Sequence, residues 1–147
     1  MSENPYLLER YKYILDQKKE LNKTTFIIAA FYQAVLVAIL AAQFSIVKGV
    51  ADRSLSSDLA RLGSWGLFWC AVAVSAICIA ALISGLFAWL NYREDESEIE
   101  VVAFGKSRKP VRFRDALRWY ESYIIVSIFF MVLVYLVALY KIVLPLL

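Results

Sequence analysis

Histidine is absent from all 147 residues, which removes the commonest general base, the commonest metal ligand and the usual near-neutral pH switch together. Only two cysteines are present. Cys70 and Cys78 stand eight residues apart within one apolar run, a separation of about 12 Å along a helix, whereas a disulfide tolerates roughly 7 Å between Cα atoms. They are expected to be small packing residues. The sequence also lacks a glycine-rich phosphate loop, a Ser/His/Asp set and a cluster of metal ligands. The carboxylates of 94–100 read as a solvated run. No catalytic site, metal or cofactor is therefore expected. Charge itself is missing from three stretches, Thr24 to Val47, Leu62 to Tyr92 and Ser122 to Tyr140, each at or beyond the roughly 18 residues that define a candidate membrane span.

What is present fits those gaps. Apolar residues make up 61% of the chain and the mean hydropathy is +0.62. A water-soluble protein this small could not cover that much apolar surface. A cleaved leader is not expected, because the first apolar run follows 23 mixed-charge residues and is too long for a signal sequence. The expected fold is all-α, with three transmembrane helices in a lipid bilayer. The expected layout is an amphipathic helix (1–23), a first span (24–47), an external loop (48–62), a second span (63–92), a charged cytoplasmic loop (93–118) and a third span (119–147).

In the first segment, Asn4 is placed to cap a helix, Pro5 occupies its first turn, and Leu7, Leu8, Tyr11, Ile14, Leu15 and Leu21 share one face. Glu9, Lys12, Asp16, Lys19 and Glu20 occupy the other. Such a helix can lie among headgroups, or it can run on into the first span as one rod.

Cations set the expected orientation. Five precede the first span and seven lie between the second and third, against three in the 48–62 loop and one, Lys141, after the third uncharged run. That bias puts the N-terminus and the 93–118 loop inside and the C-terminus outside. Trp69 and Trp89 are twenty residues apart, about 30 Å of helix, which matches the hydrocarbon thickness. Trp119 and Tyr140 bracket the third span similarly. Within the charged loop, Val101–Phe104 and Val111–Arg114 flank a Gly105–Pro110 turn, a pattern that suggests a β-hairpin.

Three constellations bear on function. Small residues recur every four positions at Ala30, Ala34, Ala38 and Ala42 and at Ala76, Ala80, Ser84 and Ala88. Such tracks let helix backbones approach closely, within one chain or between copies. Gln33 and Gln43 are the amides of the first span, and Ser75, Ser122 and Ser127 the most central hydroxyls of the other two. These polar groups suit interhelical hydrogen bonds or the lining of a pore. With no charge near the middle of any span, a proton relay, a voltage sensor or an ion-coupled transporter is disfavoured. Three helices do not enclose water alone, so a pore requires a homo-oligomer. The third constellation is Lys106, Arg108, Lys109, Arg112, Arg114 and Arg118, interleaved with Phe104, Phe113, Trp119 and Tyr120. It is either positive-inside charge attracted to anionic lipid or a site where guanidinium groups and stacking rings hold a nucleotide or single-stranded nucleic acid. In the second case the acidic run 94–100 would pair with the cations when no ligand is bound.

The amphipathic start Tyr11-Lys12-Tyr13-Ile14-Leu15-Asp16-Gln17, the small-residue tracks and the juxtamembrane run Arg112–Glu121 together resemble the small multi-span membrane effectors of bacterial antiphage systems, the Hailong type among them. The resemblance lies in layout rather than in a diagnostic motif. It implies a homo-oligomeric channel in the bacterial inner membrane that depolarises it, held or opened by a nucleic-acid-like ligand made by a signalling enzyme of the same operon. The alternative expectation is a non-catalytic scaffold subunit of a membrane complex. A pore without ligand control remains a further reading.

Overall fold

The computed structural model describes residues 5–105 and 120–147, without the side chains of 103 and 104. The described residues are helical apart from short connections, and no strand occurs among them. Helix α1 spans Pro5–Ala51 (47 residues) and α2 spans Ser57–Phe104 (48 residues). Helix α3, Tyr120–Ala138, continues through a π-helical turn at Leu139–Val143 into a last turn at Leu144–Leu146. Each of the three carries a segment long and apolar enough to cross a membrane.

Local chemistry accounts for the helix ends. Pro5 opens α1, where its missing N–H is not needed. No other proline or glycine follows until Gly49, so nothing interrupts the helix between the polar start and the apolar run. The amphipathic segment is thus not a separate helix but the first turns of α1. At the other end the Gly49 carbonyl accepts from the N–H groups of Ser54 and Leu55 (2.9 and 3.0 Å). A Cβ at Gly49 would approach that of Leu55 to 3.3 Å, a tight contact that glycine avoids. Asp58 in the first turn of α2 complements the partial positive charge of that end.

Helix α2 ends at Gly105, which has φ +64° and donates its N–H to the Val101 carbonyl (2.9 Å), a left-handed cap that glycine adopts at little cost. Residues 93–104, expected to be loop, are therefore helical. Val101–Phe104, expected to be a hairpin arm, forms the end of α2. Placing these residues in the helix lets the carboxylates before them reach cations on α1. The opposing arm, Val111–Arg114, lies outside the described residues. Near the C-terminus, Leu144 N–H bonds the Leu139 carbonyl, five residues back. Pro145 offers no N–H and crowds the carbonyl one turn earlier, and the widened π turn accommodates both effects.

The chain divides into two compact units. The first comprises Met1–Ile28 and Ala81–Tyr123. In it α1 buries Ile14 and Thr25 and half-buries Tyr11, Lys18 and Leu21, while α2 buries Leu82, Glu96 and Ile99. The second unit comprises Ala29–Ala80 and Ile124–Leu147. Its core gathers Ile39, Phe68, Ala71, Tyr135 and Leu139. Along α1 the sequestered positions 11, 14, 18, 21, 25, 28, 32, 35, 39, 42 and 46 alternate spacings of three and four, the seven-residue period of a coiled-coil seam. In α2 positions 64, 71, 78, 85, 92 and 99 follow the same period.

Candidate functional site

In the second unit the three helices meet at polar side chains. Gln43 of α1 donates from Nε2 to Ser64 Oγ of α2 at 2.8 Å, and Tyr135 of α3 donates its hydroxyl to Gln43 Oε1 at 3.1 Å. Gln43, Ser64 and Tyr135 are all buried, Ser64 completely. Nearby in α2, Ser75 Oγ lies 2.7 Å from the Ala71 carbonyl and 3.3 Å from the Tyr32 hydroxyl of α1. Both ends of the Gln43 amide are thus used. Among the described residues, no buried side-chain nitrogen or oxygen lacks a partner. Aromatic rings pack beside this cluster: Phe68 sits 5.9 Å from Tyr135, and Trp65 meets Phe68 and Tyr140 edge-on at 5.8 and 5.5 Å.

Replacing Gln43 by leucine is expected to destabilise the protein by about 1 to 2 kcal/mol, the scale of interhelical hydrogen bonds in membranes, because the Ser64 and Tyr135 hydroxyls both lose their contact. Reversible unfolding of wild type and variant in mixed detergent micelles measures the difference.

The first unit contains a different cluster. Glu96 Oε2 accepts from Lys18 Nζ at 2.6 Å and from Arg93 at 2.5 Å. Its side chain is only 5% exposed, against 14% for Lys18 and 20% for Arg93. The Lys18 ammonium also stands 4.6 Å from the centre of the Trp89 ring, within range of a cation–π interaction. Burial pushes the Glu96 carboxyl pKa up, but the two hydrogen bonds and the adjoining charges outweigh it and hold the pKa below its ordinary value. Arg10 and Asp95 make a looser, exposed pair at 3.6 Å. Tyr120, at the start of α3, donates its hydroxyl to Asn22 Oδ1 at 3.0 Å and stacks on Phe26 with ring centres 5.4 Å apart.

Measured against this geometry, the residues singled out in the sequence separate into groups. Lys106, Arg108, Lys109, Arg112, Arg114, Arg118 and Trp119 lie outside the described residues. Gln43 and Ser75 belong to the buried polar cluster. Gln33 is exposed, as are Ala30, Ala34, Ala38, Ala76, Ala80 and Ser84, so these small-residue positions are not packed within the chain. Ser127 is likewise on an exposed face. No known protein family matches the chain, and no curated protein or solved structure is significantly similar to it.

Sequence reasoning passed over Lys18, Ser64, Trp89, Arg93, Glu96 and Tyr135 as members of these clusters. A signal was present. Lys18 follows Tyr11 by seven residues and Ile14 by four, and Glu96 precedes Ile99 by three, so both fall on the seven-residue seam where a charge needs a partner. Pairing of the acidic run with 106–118 lies outside the described residues, and among those described the partners of Asp95 and Glu96 are Arg10, Lys18 and Arg93. Among the described residues no group of side chains suits a metal ion.

Proposed function

We propose that this chain is a subunit of a homo-oligomeric membrane channel, controlled by an anionic ligand on the basic segment Lys106–Arg118. One observation supports the oligomer above all. The polar groups inside the second unit satisfy one another, while the small-residue positions of α1 and α2 face outward. A water path is thus better sought between copies than inside one. Exposed small residues suit close approach between copies, since lipid tails supply no hydrophobic drive for helices to associate.

The ligand reading rests on six cations in thirteen residues beside Phe113, Trp119 and Tyr120. Arginine forks and ring faces together suit a nucleotide or a short single-stranded nucleic acid. The cation distribution supports an inside N-terminus and an outside C-terminus. The likeness in layout to antiphage effectors supports depolarisation of a bacterial inner membrane as the outcome.

The test compares wild type with an Arg112→Ala, Arg114→Ala, Arg118→Ala variant. Oligonucleotide binding is measured in neutral detergent, and collapse of an imposed potential is followed in liposomes. Wild type is expected to bind, with affinity falling steeply as salt rises, and the ligand is expected to change its leak. The triple variant is expected to lose at least tenfold in affinity, together with the ligand's effect on leak. Equal behaviour of the two proteins would reduce the cluster to topological charge.

A second reading, a scaffold subunit, has its own support. In the first unit α1 and α2 carry charged helical turns beyond the uncharged runs, with the Arg10–Asp95 pair nearly half exposed. Such turns can present a docking surface to another protein. Stoichiometric co-purification with a different membrane protein, and no leak from the purified chain, would favour it.

A further inference from the structure

Most polar side chains in the apolar part of α1 are accounted for. Gln43 is bonded at both ends of its amide, and Thr25 and Ser45 donate to the carbonyls of Leu21 and Ala41 one turn back. In α2, a serine such as Ser84 has the same recourse open to it. Gln33 differs. Its side chain is exposed and makes no hydrogen bond within the described residues. It is ten residues beyond Lys23, about 15 Å of helical rise, which is half the thickness of the hydrocarbon core.

An amide at that depth has two N–H donors and a carbonyl acceptor, and lipid tails offer partners to neither. Where that face packs against another helix, the partner has to present a donor and an acceptor at the same depth. A second copy of this chain does so by symmetry, because an amide is complementary to itself. Ala30 and Ala34 lie beside Gln33 and are exposed, so the backbones of two α1 helices can approach closely enough for their amides to meet.

We infer that Gln33 is the contact point between copies, its amide exchanging N–H···O hydrogen bonds with Gln33 of neighbouring chains across the α1 faces that carry Ala30 and Ala34. The inference rests on the homo-oligomer proposed above and adds the residue that joins the copies. It also separates the two amides of the first span: Gln43 joins helices within a chain, and Gln33 joins chains.

Two measurements on the full-length protein test it. In a Cys70→Ser, Cys78→Ala background, Gln33→Cys is oxidised in native membranes beside Ile77→Cys, a 69% exposed position on α2. Separately, the masses of wild type, Gln33→Asn and Gln33→Leu are measured by light scattering in mild detergent. Position 33 is expected to give a covalent dimer at a rate at least tenfold above position 77. Gln33→Leu is expected to dissociate at protein concentrations where wild type and Gln33→Asn stay assembled, while remaining helical by circular dichroism. An intact wild-type oligomer with an equally intact Gln33→Leu variant and no preferential cross-link at 33 would overturn this contact and leave the oligomer standing. A wild-type protein that is a single chain at every concentration would overturn both.

Discussion

Glu96→Ala is expected to destabilise the protein by about 3 to 5 kcal/mol, the scale of removing one partner from a buried ion pair. Lys18 and Arg93 would then keep their charges in largely covered positions with no carboxylate to accept from them. Glu96→Gln retains the shape and one acceptor, so it is expected to lose less. Asp95→Ala is the control: its pair with Arg10 is 3.6 Å long and nearly half exposed, and such pairs contribute about 1 kcal/mol or less. Unfolding of the three variants in the same detergent, followed by circular dichroism, ranks them.

The same carboxylate gives a pH dependence. Its folded-state pKa is lowered, so the stabilisation is fully present above the ordinary carboxylate pKa, about 4.3 for glutamate. It is lost as the pH falls through the lower folded value. Wild type should therefore weaken on acidification below about pH 4, and Glu96→Gln should lack this component of the loss.

Ile14→Ala is expected to cost about 2 to 4 kcal/mol, within the range for removing a buried branched side chain and leaving a cavity. Ile14 is 1% exposed, whereas Leu15 beside it is 43% exposed, so Leu15→Ala is expected to change stability by well under half as much. Comparing the two by detergent unfolding separates burial from side-chain identity. A larger loss at Leu15 would mean that its face is covered in the assembled protein.

The contrast between these neighbours shows how far the sequence could be read. The three apolar runs were legible because a span needs length and the absence of charge, and both are visible in one dimension. The layout between them was less so. An amphipathic start, an acidic run and a valine-rich segment each have several local solutions, and the helical one is selected by partners distant in sequence. Glu96 remains in a helix 78 positions from Lys18 because that helix brings the two together. Gly105 then marks the stop with its left-handed backbone, a feature that looked in sequence like the turn of a hairpin. A rule of four-residue spacing also drew attention to alanine tracks, whereas burial within the chain follows the seven-residue seam through Ile14, Thr25, Tyr32 and Ile39. The two amides of the first span look alike in sequence. Only the surroundings distinguish Gln43, held by Ser64 and Tyr135, from Gln33, which faces outward.

The central claim, that copies of this chain assemble around a path for ions, is tested most directly by a cryo-EM map of the protein purified in mild detergent. A symmetric ring of identical three-span subunits is expected, with α1 helices meeting at the depth of Gln33 and a lumen between copies rather than within one. A map showing a single chain, or a symmetric assembly whose centre is closed by packed side chains along its whole length with ligand both present and absent, would contradict it.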